Sequence, residues 1–106
     1  MTTFDKREEG FEKNFAHDEE LKFKATARRD KLIGMWAAAK MGLSGAEADA
    51  YAKGIVMADL EAGDHDMFKK IRADLDDKKV AVPDQDIRRA MDEMMVQAVA
   101  QIKASG

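Results

Sequence analysis

The chain has 106 residues and a mass of 11.8 kDa, the size of one compact domain and too small for a two-domain nucleotide enzyme. Charged residues make up 37%, but 18 basic against 21 acidic side chains leave a net charge of only −3, so the charge is mixed over solvated faces and offers nucleic acid no basic stripe. With no cysteine there is no disulfide, thiolate metal site or thiol nucleophile, and a reducing compartment fits.

The first residues, Met1 to Glu9, are charged where a secretory signal would be apolar, and no stretch approaches the ~18 apolar residues of a membrane span. A cytoplasmic protein without direct membrane insertion is expected. Phe4, Phe11 and Phe15 fall within roughly 40° on a helical wheel, so residues 1–17 can present one narrow aromatic stripe. Local forces do not hold such a helix. Asp5/Glu9 and Glu8/Glu12 are repulsive pairs, only Glu9/Lys13 is attractive, and Gly10 costs about 1 kcal/mol relative to alanine. Burying three Phe side chains yields roughly 5 to 9 kcal/mol, whereas ordering the backbone of this segment costs on the order of 17 to 34. The stripe therefore needs a second surface, either the rest of the chain or a partner on which the segment orders.

Beyond residue 17 the only proline is Pro83, β-branched residues are sparse, and helix propensity is favourable almost throughout. A first helix is predicted from near Asp18 to Met41, with Leu21, Ala25, Leu32, Met35, Trp36 and Ala39 as its apolar stripe and Lys22, Lys24, Arg28, Arg29 and Lys31 beside it. The pair Arg28 and Arg29 reads as surface charge. Gly42 ends this helix, and Ser44-Gly45-Ala46-Glu47 has the form of a capping box opening the second. The second helix turns Ala48, Tyr51, Ala52, Ile55 and Val56 inward and stops near Gly63. Asp64 is placed to cap a third, short helix carrying Met67, Phe68, Ile71 and Leu75, with Lys78 and Lys79 at its end. Val80 to Pro83 forms an extended connector. A last helix follows, with Ile87, Ala90, Met91, Met94, Met95, Ala98 and Ile102 at helical spacing. The expectation is an all-α fold: a four-helix bundle, residues 18–106, carrying a mobile and potentially helical N-terminal arm, residues 1–17.

Catalytic chemistry finds little to work with. The hydroxyls are Thr2, Thr3, Thr26, Ser44, Tyr51 and Ser105, none in a recognisable nucleophilic setting, and the glycines fit neither nucleotide fingerprint. Asp64-His65-Asp66 is rich in ligand types, but side chains diverging at a helix start read more simply as a solvated cap. His17, next to Asp18-Glu19-Glu20, is a candidate for pH sensitivity at the root of the arm, against the plainer reading of an exposed histidine. Met91, Met94, Met95 and Trp36 read as core rather than as a ligand platform. Neither an enzyme nor a resident cofactor is expected.

The strings Met1-Thr2-Thr3-Phe4-Asp5-Lys6-Arg7-Glu8-Glu9-Gly10-Phe11-Glu12 and Phe15-Ala16-His17-Asp18-Glu19-Glu20-Leu21 resemble the zeta-type inhibitor subunit of the alphaproteobacterial F-type ATP synthase. The resemblance continues through Phe23 to Arg29, Trp36-Ala37-Ala38, Gly42-Leu43, Ala50 to Lys53, Lys70 to Asp74 and Ile87-Arg88-Arg89, nearly the whole chain. It implies a bundle whose N-terminal segment inserts between subunits of the catalytic head near the rotor stalk and blocks ATP hydrolysis. The implied partners are the alpha, beta and gamma subunits, and the protein would sit at the inner membrane only peripherally, through the synthase. By that resemblance Phe4, Phe11 and Phe15 are the apolar anchors, while Asp5, Lys6, Arg7, Glu8, Glu9, Glu12 and Lys13 face the partner. Asn14 departs from the charged residue expected in close relatives.

Two other classes fit the residues. A small helical bundle that weakly senses nucleotide would bind ligand on the bundle without a partner. A self-associating module would use the Phe stripe as a seam, but Glu8 interrupts that stripe, and a monomer is expected when the protein is free.

Overall fold

The helix-favouring composition is realised over residues 19–105, the part of the chain that the computed structural model describes. Four helices occur there: α1 Glu19–Lys40, α2 Gly45–Ala62, α3 Asp64–Asp77 and α4 Asp84–Ser105. The bundle is all-α, and no strand is present among the described residues. The arm 1–17, with its ten candidate contact residues, and the expected helix start at Asp18 lie outside them.

Two of the helices, α1 and α3, end through left-handed backbone conformations. At the end of α1, Gly42 takes φ +80°, its N–H donates to the Ala39 carbonyl at 3.1 Å, and the Leu43 N–H reaches back to Ala38 at 2.9 Å. This paired closure satisfies carbonyls the helix leaves open. The same closure ends α3, with the Lys79 N–H on Asp76 and the Val80 N–H on Leu75, both at 2.9 Å, but there Lys79 itself adopts φ +60°. A side chain in that region carries a cost that glycine avoids.

Two expected caps are not formed. Ser44 is extended and marks the helix boundary, yet its side chain makes no capping bond. Gly45 enters the helix at φ +56°, and a capping box needs helical dihedrals from its first residue onward. Asp64 likewise does not cap α3. Gly63, at φ +93°, holds the cap position and accepts from the Met67 N–H at 3.0 Å, while the Asp64 carboxylate turns toward α1.

α1 is the central element, packed against α2 on one side and α4 on another, while α3 is held chiefly by α2. This double contact explains why the expected single stripe on α1 is only partly right. Ala25 is buried as expected, and Leu21, Leu32 and Trp36 are half-buried, but Met35 and Ala39 are exposed. The buried residues are instead Ala25, Arg29, Asp30, Ile33, Gly34, Ala37 and Ala38, a band too wide for one apolar stripe. The inward residues of α3 match the reading in full: Met67, Phe68, Ile71 and Leu75 are all buried. Ile87, Ala90 and Ala98 of α4 are buried too, and Trp36, Met91 and Met94 pack against the core.

Polar contacts lock the edges. The Tyr51 hydroxyl of α2 donates to Asp74 of α3 at 2.8 Å, and Lys70 approaches the same carboxylate at 3.2 Å. Arg72 of α3 donates to the Val82 carbonyl and, at 3.1 Å, to Asp84, tying the connector to the start of α4.

Gly34 permits the closest helix approach. A Cβ there would lie 2.7 Å from the Ala52 Cα, a backbone atom that cannot swing aside. Alanine at an ordinary helix position gains about 1 kcal/mol over glycine, but forced overpacking costs typically ~1–3. Gly34→Ala is therefore expected to lower the urea unfolding midpoint; an increase would show that α1 and α2 are not in this close contact.

Candidate functional site

The candidate partner-binding residues Phe4, Asp5, Lys6, Arg7, Glu8, Glu9, Phe11, Glu12, Lys13 and Phe15 all lie outside the described residues. Among the described residues the most concentrated chemistry lies around Arg29, which is buried and not the surface charge its sequence setting suggests. Arg29 is only 6% exposed and its neighbour Asp30 only 1%. A signal for this was present: Arg29 falls in the row Ala25, Ile33 and Ala37 at four-residue spacing, and all three are buried.

Three helices supply the cluster. The Arg29 Nε donates to Asp30 Oδ1 at 2.7 Å, and its Nη2 donates to Asp64 Oδ1 at 2.7 Å and lies 3.5 Å from Asp59 Oδ2. Asp59 comes from the last turn of α2 and Asp64 from the first turn of α3. One carboxylate oxygen from each of Asp30, Asp59 and Asp64 lies within 4.8 Å of the others. Such spacing suits a cation, and here the guanidinium is the positive charge that the acids share.

Three acids around one guanidinium cannot all ionise without penalty. Burial, reinforced by a hydrogen bond to Asp59, pushes the Asp30 carboxyl up to about 8. Burial also acts against Asp59, but hydrogen bonds from Asp30 and Asp64 and the charge of Arg29 outweigh it and hold its pKa below the usual carboxylate value. Asp64 is raised, by burial first and then by its bond to Asp59. Arg29 stays charged: burial is opposed by Asp30 and Asp64, which keep its pKa above the ordinary value. A raised Asp30 pKa favours an arrangement in which this acid keeps its proton and donates to the Asp59 carboxylate beside Arg29, and no buried side-chain N or O among the described residues lacks a partner.

An open groove of about 430 Å³ adjoins the cluster, bounded by Arg29, Asp64, His65, Phe68, Arg88 and Asp92. The Arg88 guanidinium of α4 lies over the Phe68 ring of α3 at 4.4 Å, a cation–π contact between two residues of the groove. Asp64, His65 and Asp66, read from the sequence as a solvated cap, are all exposed, but Asp64 is committed to Arg29.

Removing the guanidinium strands the acids. Arg29→Met is expected to cost about 3–5 kcal/mol, the range for breaking a buried ion pair from one side. Lys31→Met is the control, since Lys31 and Asp49 lie 3.8 Å apart with more than two-fifths of each side chain exposed, and a pair of that kind contributes at most about 1 kcal/mol. Urea unfolding of both variants checks the contrast; equal losses would place Arg29 at the surface.

Comparison with known proteins adds identity to this geometry. A protein whose structure was solved by NMR in solution is similar to the chain with a TM-score of 0.71 and 41% sequence identity, over 81% of this chain and 99% of that one. Comparison with curated protein sequences found no match. The family model for ATPase inhibitor subunit zeta matches residues 1–101, which takes in both the N-terminal segment and all but the last residues of the bundle. At that extent of match, the chain belongs to the ATPase inhibitor subunit zeta family.

Proposed function

We propose that the chain inhibits ATP hydrolysis by the catalytic head of the F-type ATP synthase, through insertion of residues 1–17 at a catalytic interface near the rotor stalk. The observation that carries this reading is the family match, which begins at residue 1 and so includes the aromatic segment together with the bundle. The role is regulatory rather than catalytic, and the partners are the alpha, beta and gamma subunits. No described helix is long and apolar enough to cross a membrane, and the protein would reach the inner membrane through the synthase.

In this mechanism the segment gains a helix by docking, and desolvation of Phe4, Phe11 and Phe15 provides the apolar part of the affinity. Asp5, Lys6, Arg7, Glu8, Glu9, Glu12 and Lys13 pair with groups of the cleft. A lodged helix resists closure of that cleft. If rotation in the synthesis sense opens it while hydrolysis closes on it, the inhibitor acts as a pawl. Ordering the segment at the moment of binding lowers the affinity per unit area and favours regulated release.

The full chain and a version lacking residues 1–17, each added to the cognate catalytic head during ATP hydrolysis, test this directly. Inhibition by the full chain alone is expected. Equal inhibition by both refutes the insertion mechanism, and inhibition by neither refutes the target. Phe11→Ala combined with Phe15→Ala is expected to raise the half-inhibitory concentration at least about tenfold while leaving bundle melting nearly unchanged.

A further inference from the structure

The cluster around Arg29 has a charge problem that its geometry solves in one way. With Asp30, Asp59 and Asp64 all ionised, the site would hold three negative charges against one positive, and Asp30 at 1% exposure has almost no water to solvate the excess. A single proton held between neighbouring carboxylates removes the repulsion and adds a hydrogen bond. The Asp64 side chain is 59% exposed, so it gives the buried acids a contact with solvent.

The position of the cluster gives that proton a mechanical role. α1 and α3 touch only slightly, and the 2.7 Å contact from Arg29 to Asp64 bridges them where α2 turns into α3 at Gly63. The geometry points to a proton-loaded latch: Arg29, Asp30, Asp59 and Asp64 hold α1 against the α2–α3 corner when they share one proton, and slacken when that proton leaves.

The charged groups around Asp30 come from every packed element. Arg29 is on its own helix, Asp59 faces it from α2 and Asp64 from α3, while His65 of α3 and Arg88 and Asp92 of α4 stand around the adjoining groove. The direction of the pH effect follows. Asp30 is raised from the ordinary 3.8 to about 8 in the folded chain, so the stabilisation is complete in acid and is lost as pH rises toward and through that value. Asp64 is raised as well and acts in the same sense. Asp59 is lowered, and its opposite contribution fades only as pH falls below the usual carboxylate range. Between mildly acid and mildly alkaline pH the latch therefore weakens, by up to about tenfold in the folding constant per pH unit for one proton.

The test uses the isolated full chain and no ATPase, so its outcome and that of the inhibitory reading are independent. Carboxyl-carbon NMR follows Asp30 directly, and urea unfolding near pH 5.5 and near pH 8.5 is compared for three proteins. These are the native chain, Asp30→Asn, which mimics the neutral acid, and a His17→Gln, His65→Gln double variant, which removes both histidines. The Asp30 carboxyl is expected to titrate in the neutral-to-alkaline range. The folding constant of the native chain and of the double histidine variant should fall at least about tenfold across the interval, and that of Asp30→Asn should hardly change. Titration of Asp30 below about pH 5, or an Asp30→Asn variant with the native pH dependence, overturns the latch. If Asp30→Asn does not fold, the carboxyl titration of the native chain decides alone.

Discussion

The distance between α1 and α2 is set where Gly34 lies against the backbone of Ala52, and much of the bundle follows from it. Ala37, Ala38, Ala48 and Ala52 are buried alongside, so small side chains occupy much of the space between the two helices. The larger core residues Ile33, Ile55, Met67, Ile71, Leu75 and Ile87 are fully enclosed. Helices packed this closely gain dispersion contacts along their length.

Arg29 has unusual surroundings for a charged side chain. Its guanidinium pairs with Asp30 and reaches outward to the acids at the α2–α3 corner. A buried ionic group of this kind is weak evidence for stability, because apolar residues of similar size often pack as well or better. Its more distinctive property is registry. The guanidinium finds its partners only when the end of α2, the start of α3 and the middle of α1 are correctly placed together. The unmade cap at α3 belongs to the same pattern: Asp64 forgoes its own helix N-terminus because a charged hydrogen bond to Arg29 is the stronger interaction.

The proposed inhibitory segment and the bundle divide the physical tasks. The segment carries aromatic side chains that the rest of residues 1–17 cannot stabilise as an isolated helix, which suits a part that orders on its target. α1 follows directly in the chain and is the most heavily packed element of the bundle, so a load applied through the segment would pass to the core rather than to a loosely held helix.

Helix boundaries were legible in the residues because they depend on local backbone chemistry. Gly42 at left-handed φ, the break in helix before Pro83 and the acid-rich opening of α4 each act within a few residues. The apolar rows of α3 and α4 were legible for a related reason: each helix is covered mainly from one direction, so its periodicity points at one neighbour. α1 is covered from two sides, and this spread its buried residues around the helix until no single stripe remained. The ionisation of Asp30, the diversion of Asp64 and the burial of Arg29 depend on groups about thirty or more positions apart along the chain, 29 against 59 and 64. Chain order alone determined where helices form and which strings mark the family; only the packing of α1 between its neighbours decided which charges are taken out of water, because desolvation is a property of the assembled surroundings and not of any local run of residues.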